Sequence, residues 1–104
     1  MVSQEMIDDL VGRIVDEIHP LRILVFGSVA RGESAGESDI DLMVVMPEGV
    51  HRRKTAQRLY RNIRGMNMPF DVLVVTPTDL DNHKNNPGLV YRNVLTEGKE
   101  VYAA

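Results

Sequence analysis

Asp39 and Asp41 stand one residue apart at the start of an apolar run, in SDIDLMVV. On an extended strand, residues i and i+2 project to the same face, with Cα atoms about 6.5 Å apart at roughly 3.3 Å per residue. Two carboxylates so placed repel each other, and apolar surroundings push their pKa values up. A divalent cation removes both penalties: Mg²⁺ takes oxygen ligands and commonly combines one or two carboxylates with substrate phosphates. Asp71 opens another apolar run, FDVLVV. It supplies a third carboxylate if the two runs are neighbouring strands facing the same way. Each acid also has a purely structural reading, since strands often begin on a polar residue. Asp41 resists that reading because it lies within IDLMVV.

Gly27 and Ser28 end an earlier apolar run, LRILVFGS. Glycine directly after a strand lets a ligand approach the backbone closely. If Ser28 to Arg31 starts a helical turn, its free N–H groups can bind a phosphate oxygen. Ser28 adds a hydroxyl. Arg31 reaches either a phosphate or one of the acids Glu33, Glu37 and Asp39. A glycine-serine pair alone is weak evidence, and its weight comes from the acids that follow it.

These residues need elements to hold them. Ile7, Leu10, Val11, Ile14 and Ile18 recur at intervals of three and four, which predicts an amphipathic helix over residues 4–18, with Ser3 as a possible N-cap. Pro20 ends it, because the residue before proline is pushed out of helical geometry. Residues 21–26, 39–46 and 70–75 read as strands. On the second, Ile40, Leu42 and Val44 share one face, while Asp39, Asp41, Met43 and Val45 share the other. On the third, Val72 and Val74 oppose Asp71, Leu73 and Val75. Residues 51–64 read as a basic helix stopped by Gly65, with Ala56, Leu59, Tyr60 and Ile63 as its apolar points. Pro77 starts a short helix. Residues 89–95 form a last helix, and 100–103 an edge strand. Helices alternating with strands predict a layered α/β or α+β domain on a small sheet, whose strand order the residues do not give.

The bulk numbers suit one globular domain spanning residues 1–104. The chain is 43% apolar and has no cysteine, so thiolate metal sites and disulfides are excluded. No signal peptide and no membrane span is expected. Lys and Arg number 12 against 15 acids, a net charge of −3. Half of the cations lie between Arg52 and Arg64, a segment without a single acid, while residues 1–17 carry five acids and one Arg. The basic segment suits a phosphate-rich acceptor, an acidic partner or plain solvation. His19, His51 and His83 are scattered and are expected at the surface.

GSVARGE followed by SDIDLMV, with the later acid Asp71, resembles the signature of the nucleotidyltransferase superfamily that includes DNA polymerase beta. More narrowly it is similar to the minimal nucleotidyltransferases (MNT proteins) that are paired with HEPN-domain partners. The resemblance is strong over Leu21 to Val75 and weak at the ends. It implies a nucleotidyltransferase fold, a small mixed β-sheet flanked by helices. It implies that Gly27 and Ser28 grip a nucleotide triphosphate, and that Asp39, Asp41 and Asp71 are the metal-binding catalytic acids. The implied chemistry is Mg²⁺-dependent transfer of AMP from ATP, with one or two ions and with pyrophosphate leaving.

The implied setting is cytoplasmic, as the antitoxin of a HEPN/MNT toxin-antitoxin pair, working as a hetero-oligomer or homodimer. Larger relatives carry a further domain at the acceptor site, so here a partner or second copy must complete it, with Leu89 or Leu95 as possible contacts. Nucleic acid is not the expected acceptor. The alternative is a nucleotide-binding antitoxin or structural subunit that neutralises its partner by binding alone. The acceptor, the base preference and the number of ions stay open at this stage.

Overall fold

The strand carrying Asp41 lies inside the sheet and has a neighbour on each side. The computed structural model describes residues 4–26, 40–65, 69–83 and 98–104. They form helix α1 (Gln4–Ile18), strands β1 (Arg22–Phe26) and β2 (Ile40–Val45), helix α2 (Arg52–Asn62), strand β3 (Phe70–Val75), helix α3 (Pro77–His83) and strand β4 (Lys99–Ala103). The sheet order is β3-β2-β1-β4, which puts β3 and β4 at the edges. β1 runs antiparallel to both β2 and β4, and β2 runs parallel to β3. The expected small mixed sheet flanked by helices is therefore the observed architecture.

The period-2 pattern of the strands sorts their side chains into two layers. Ile23, Val25, Ile40, Leu42, Val44 and Val74 face α1 and α2 and pack with Ile7, Leu10, Val11, Ile14, Leu59 and Ile63. Leu24, Met43, Val45 and Val75 face the other way and pack with Leu80 of α3. Leu10, Ile14, Ile40, Leu42 and Leu59 are completely buried. Burying each such side chain contributes roughly 1.5–3 kcal/mol in transfer free energy, set against the entropy of ordering it.

Local sequence explains where the helices begin and end. α1 stops before Pro20 as expected, but His19 does not extend. It takes φ +47, and its N–H donates to the Val15 carbonyl at 2.9 Å, a left-handed helix end. α2 is capped by His51, whose Nδ1 accepts the Lys54 N–H at 3.2 Å. It ends at Asn62, earlier than the expected stop. Ile63 is extended (φ −93, ψ 107) and buries its side chain in the core. Gly65, at φ +80, therefore turns the chain after the helix and does not terminate it. Thr76 caps α3 in a reciprocal box: the Asp79 carboxylate accepts the Thr76 N–H at 3.0 Å, and the Thr76 hydroxyl accepts the Asp79 N–H at 3.3 Å. Pro77 follows at the first helical position.

The expected turn at Ser28–Arg31, the N-cap Ser3 and the last helix at 89–95 lie outside the described residues. Among the described residues, no helix is long and apolar enough to cross a membrane.

Candidate active site

Asp41 on β2 is the direct register partner of Asp71 on β3, and Phe26 on β1 is the partner of Asp41. Partners in register point to the same face. Phe26, Asp41 and Asp71 thus form one row across the sheet, on the face turned away from α1 and α2. Leu24, Met43 and Leu73 form the next row, and Val45 and Val75 lie in the one after. Leu80 of α3 covers these later rows. The acid row stands beyond them, at the end of the sheet where β1 runs out and where β2 and β3 begin.

Neighbouring strands lie roughly 4.8 Å apart, so the two carboxylates stand side by side within reach of a single ion. Asp41 is half-buried and Asp71 is exposed at the β3 edge. Phe26, Met43 and Leu73 are their register neighbours in the row and the row below. Hard oxygen donors beside apolar side chains, open on one side, suit Mg²⁺ shared with phosphate oxygens. Among the described residues no three acids or histidines meet closely enough to hold a metal ion. Asp39, Gly27, Ser28 and Arg31 lie outside the described residues. The structure therefore brings together two of the six expected site residues and says nothing of the other four.

Other acids have structural tasks. The Arg52 guanidinium holds the Asp79 carboxyl below its ordinary pKa, aided by the N–H and hydroxyl of Thr76, against the opposing effect of burial. Glu48 is held low by Thr78, whose N–H it accepts at 2.7 Å. Glu17 is held low by Arg58 and Asn62, at 2.7 and 2.6 Å, which ties α1 to α2.

Neither Phe26 nor Tyr60 is among the expected site residues. Phe26 supplies the apolar flank of the acid row; its position directly before Gly27 is a signal, but the register that sets it beside Asp41 is not legible. Tyr60 is one of the apolar points expected on the basic helix. Its ring does stack on Phe70 with centroids 5.4 Å apart, yet it is 46% exposed and its hydroxyl accepts the Val72 N–H at 2.7 Å. His19 and His51 are exposed, as expected.

The family described as "Polymerase beta, Nucleotidyltransferase" matches this chain over residues 11–104. The chain belongs to that family and carries a nucleotidyltransferase domain. No curated protein sequence matches it. Among solved structures, a protein from Sulfolobus solfataricus assigned to the nucleotidyltransferases is 20% identical with a TM-score of 0.63, over 95% of this chain and 78% of the other. A toxin-antitoxin structure with AMP-PNP is 21% identical with a TM-score of 0.59, over 99% and 75% of the two chains. A Shewanella oneidensis complex of a tri-AMPylated HEPN toxin with its MNT antitoxin is 18% identical with a TM-score of 0.50, over 96% and 69%. At these identities the likeness is one of fold.

Proposed function

We propose that this chain, working as one domain in the cytoplasm, transfers AMP from ATP to a hydroxyl group on a HEPN-type partner protein, and so acts as the antitoxin of a toxin-antitoxin pair. The observation that carries the reading is the parallel register that sets Asp41 beside Asp71 on one face of the sheet. Membership of the nucleotidyltransferase family supports the reaction class. The acceptor class is supported by the tri-AMPylated toxin in the Shewanella oneidensis complex, and the nucleotide by the AMP-PNP in the other toxin-antitoxin structure.

Asp39, Asp41 and Asp71 are assigned as the ligands of Mg²⁺. When bound, the ion supplies neutralisation of phosphate charge and a lowered pKa for the attacking hydroxyl. Gly27 and Ser28 directly follow Phe26 in the chain, and Phe26 is the register partner of Asp41. They are assigned to the triphosphate, together with Arg31. Asp71, on the edge strand, faces the acceptor. The acceptor oxygen bonds to the α-phosphorus, the bond to the β-phosphate oxygen breaks and pyrophosphate leaves. The hydroxyl proton passes to the Asp71 carboxylate or to water. The half-buried Asp41, between Phe26 and Asp71, holds the centre of the row and orients both substrates.

The test is incubation of the chain and its HEPN partner with labelled ATP and Mg²⁺. Label should pass to the partner, and Asp41→Asn should abolish transfer while leaving the protein folded. A folded wild-type chain that binds the partner without labelling it would instead point to neutralisation by binding alone.

A further inference from the structure

We propose that the exposed basic face of α2 beside the β3 edge, Arg53, Lys54 and Arg61 around Tyr60, is the docking surface for an acidic segment of the protein that presents the acceptor hydroxyl. The proposal rests on the reading above for the reaction itself.

The placement follows from how α2 is held. Leu59 and Ile63 point into the core. Arg58 and Asn62 bond Glu17 and so face α1. Tyr60 lies on the opposite flank, with its ring on Phe70 and its hydroxyl on the Val72 N–H at the outer side of β3. Successive helical residues turn by roughly 100°, so Arg53, Gln57 and Tyr60 line that flank, and Lys54, Gln57 and Arg61 line the adjoining outer face. The cations span about 12 Å of helix. All are exposed, and among the described residues none of Arg53, Lys54 and Arg61 pairs with an acid. Asp71 stands exposed on the same edge strand, on the other face of the sheet. A partner straddling this edge meets the basic face with one part and Asp71 with another.

Arg61 lies in the last turn of α2, where a cation suits the helix dipole, but helix stability does not account for Arg53 and Lys54. α2 has no acid in its first turn, and positive side chains there oppose the helix dipole. Arg52 is offset by Asp79, whereas among the described residues Arg53 and Lys54 have no such neighbour. An open recess of about 350 Å³, lined by Val50, His51, Arg52 and Arg53, lies at the same end and can receive an acidic side chain. An exposed tyrosine flanked by arginine is also the composition that protein interfaces favour. A long polyanion fits less well. The molecule carries a net charge of −3, and α1, packed beside α2, exposes Glu5, Asp8, Asp9 and Asp16. Nucleic-acid affinity grows with the number of phosphates neutralised, and this stripe is short.

The experiment measures binding of the HEPN partner to the wild-type chain and to R53E/K54E/R61E by calorimetry at low and high salt, with a 20-nucleotide RNA as the competing ligand. Glutamates at the first two positions favour the start of the helix, so the variant should fold. The milder R53Q/K54Q/R61Q guards against misfolding. The expected result is a salt-sensitive wild-type complex, weakened about tenfold or more by charge reversal and less by the glutamines. Stabilisation by Mg²⁺·ATP should be unchanged. Equal affinity in all three proteins, no wild-type complex, or tighter binding of the RNA than of the partner overturns the proposal. If the variants lose the partner but the wild-type chain transfers no AMP, the docking surface stands and the reaction reading falls. If transfer occurs and the variants bind normally, the reverse holds.

Discussion

At the Asp41–Asp71 pair, two negative charges occupy partner positions on adjacent strands, and like charges directly opposite destabilise a sheet. The repulsion between the two carboxylates is a cost that a bound cation or substrate group would relieve. Removing the exposed member should therefore relieve the apo protein and disable the reaction. In chelator, Asp71→Asn should gain roughly 0.5 kcal/mol in urea unfolding, while AMP transfer falls by about a hundredfold or more. A variant that loses both stability and activity would show that Asp71 is a structural residue. Asp79 works in the opposite sense. Its carboxyl sits below its ordinary value of 3.8 because Arg52 and Thr76 favour the charged form. A depressed folded-state pKa means stability that is present above the unfolded value and lost as pH falls through the folded one. Asp79→Asn should thus be less stable than wild type at neutral pH, and the gap should close below about pH 4. Urea titrations at neutral and acid pH check this.

At the scale of elements, β2 decides whether the row of acids exists. Leu42 is completely buried, next to Asp41 in the chain and on the opposite face. Leu42→Ala should cost about 3 kcal/mol through lost transfer energy and the cavity left behind, read from the shift in the urea midpoint. α1, α3 and the first three strands were legible from local signals: the helical spacing of α1 and Pro20 after it, Pro77 at the start of α3, and the short apolar runs RILVF, IDLMVV and FDVLVV. The end of α2 was not legible. Gly65 looked like the stop, but burial of Ile63 pulls the chain out of the helix first. Strand order was also beyond the sequence, because pairing is set by contacts between distant segments. Nothing local says that β3 lies parallel to β2 with Asp71 level with Asp41. The faces of both acids could be assigned from alternation, but their adjacency needed the fold. The helical position of Tyr60 was visible too, yet its place at the β3 edge depends on how α2 crosses the sheet.

The whole molecule divides labour between the two faces of one sheet. α1 and α2 bury one face and supply most of the core, while on the other face, among the described residues, α3 packs on the rows beyond the acids. On the proposed reading, stability and chemistry are thereby separated. The starts of β2 and β3 bring Asp41 and Asp71 to the end of the sheet where β1 finishes at Phe26, with the basic flank of α2 along its β3 edge. The central claim is that Asp39, Asp41 and Asp71 share one metal-nucleotide centre that residues 27 and 28 also reach. Paramagnetic broadening by Mn²⁺ with AMP-PNP, read on the assigned amide spectrum, tests it most directly. The account predicts that sub-stoichiometric Mn²⁺ erases the amide signals of residues 27, 28, 39, 41 and 71 first, and spares Leu10 and Ile14 on the far face. Broadening that misses Asp41 and Asp71, or that centres on another part of the molecule, would contradict it.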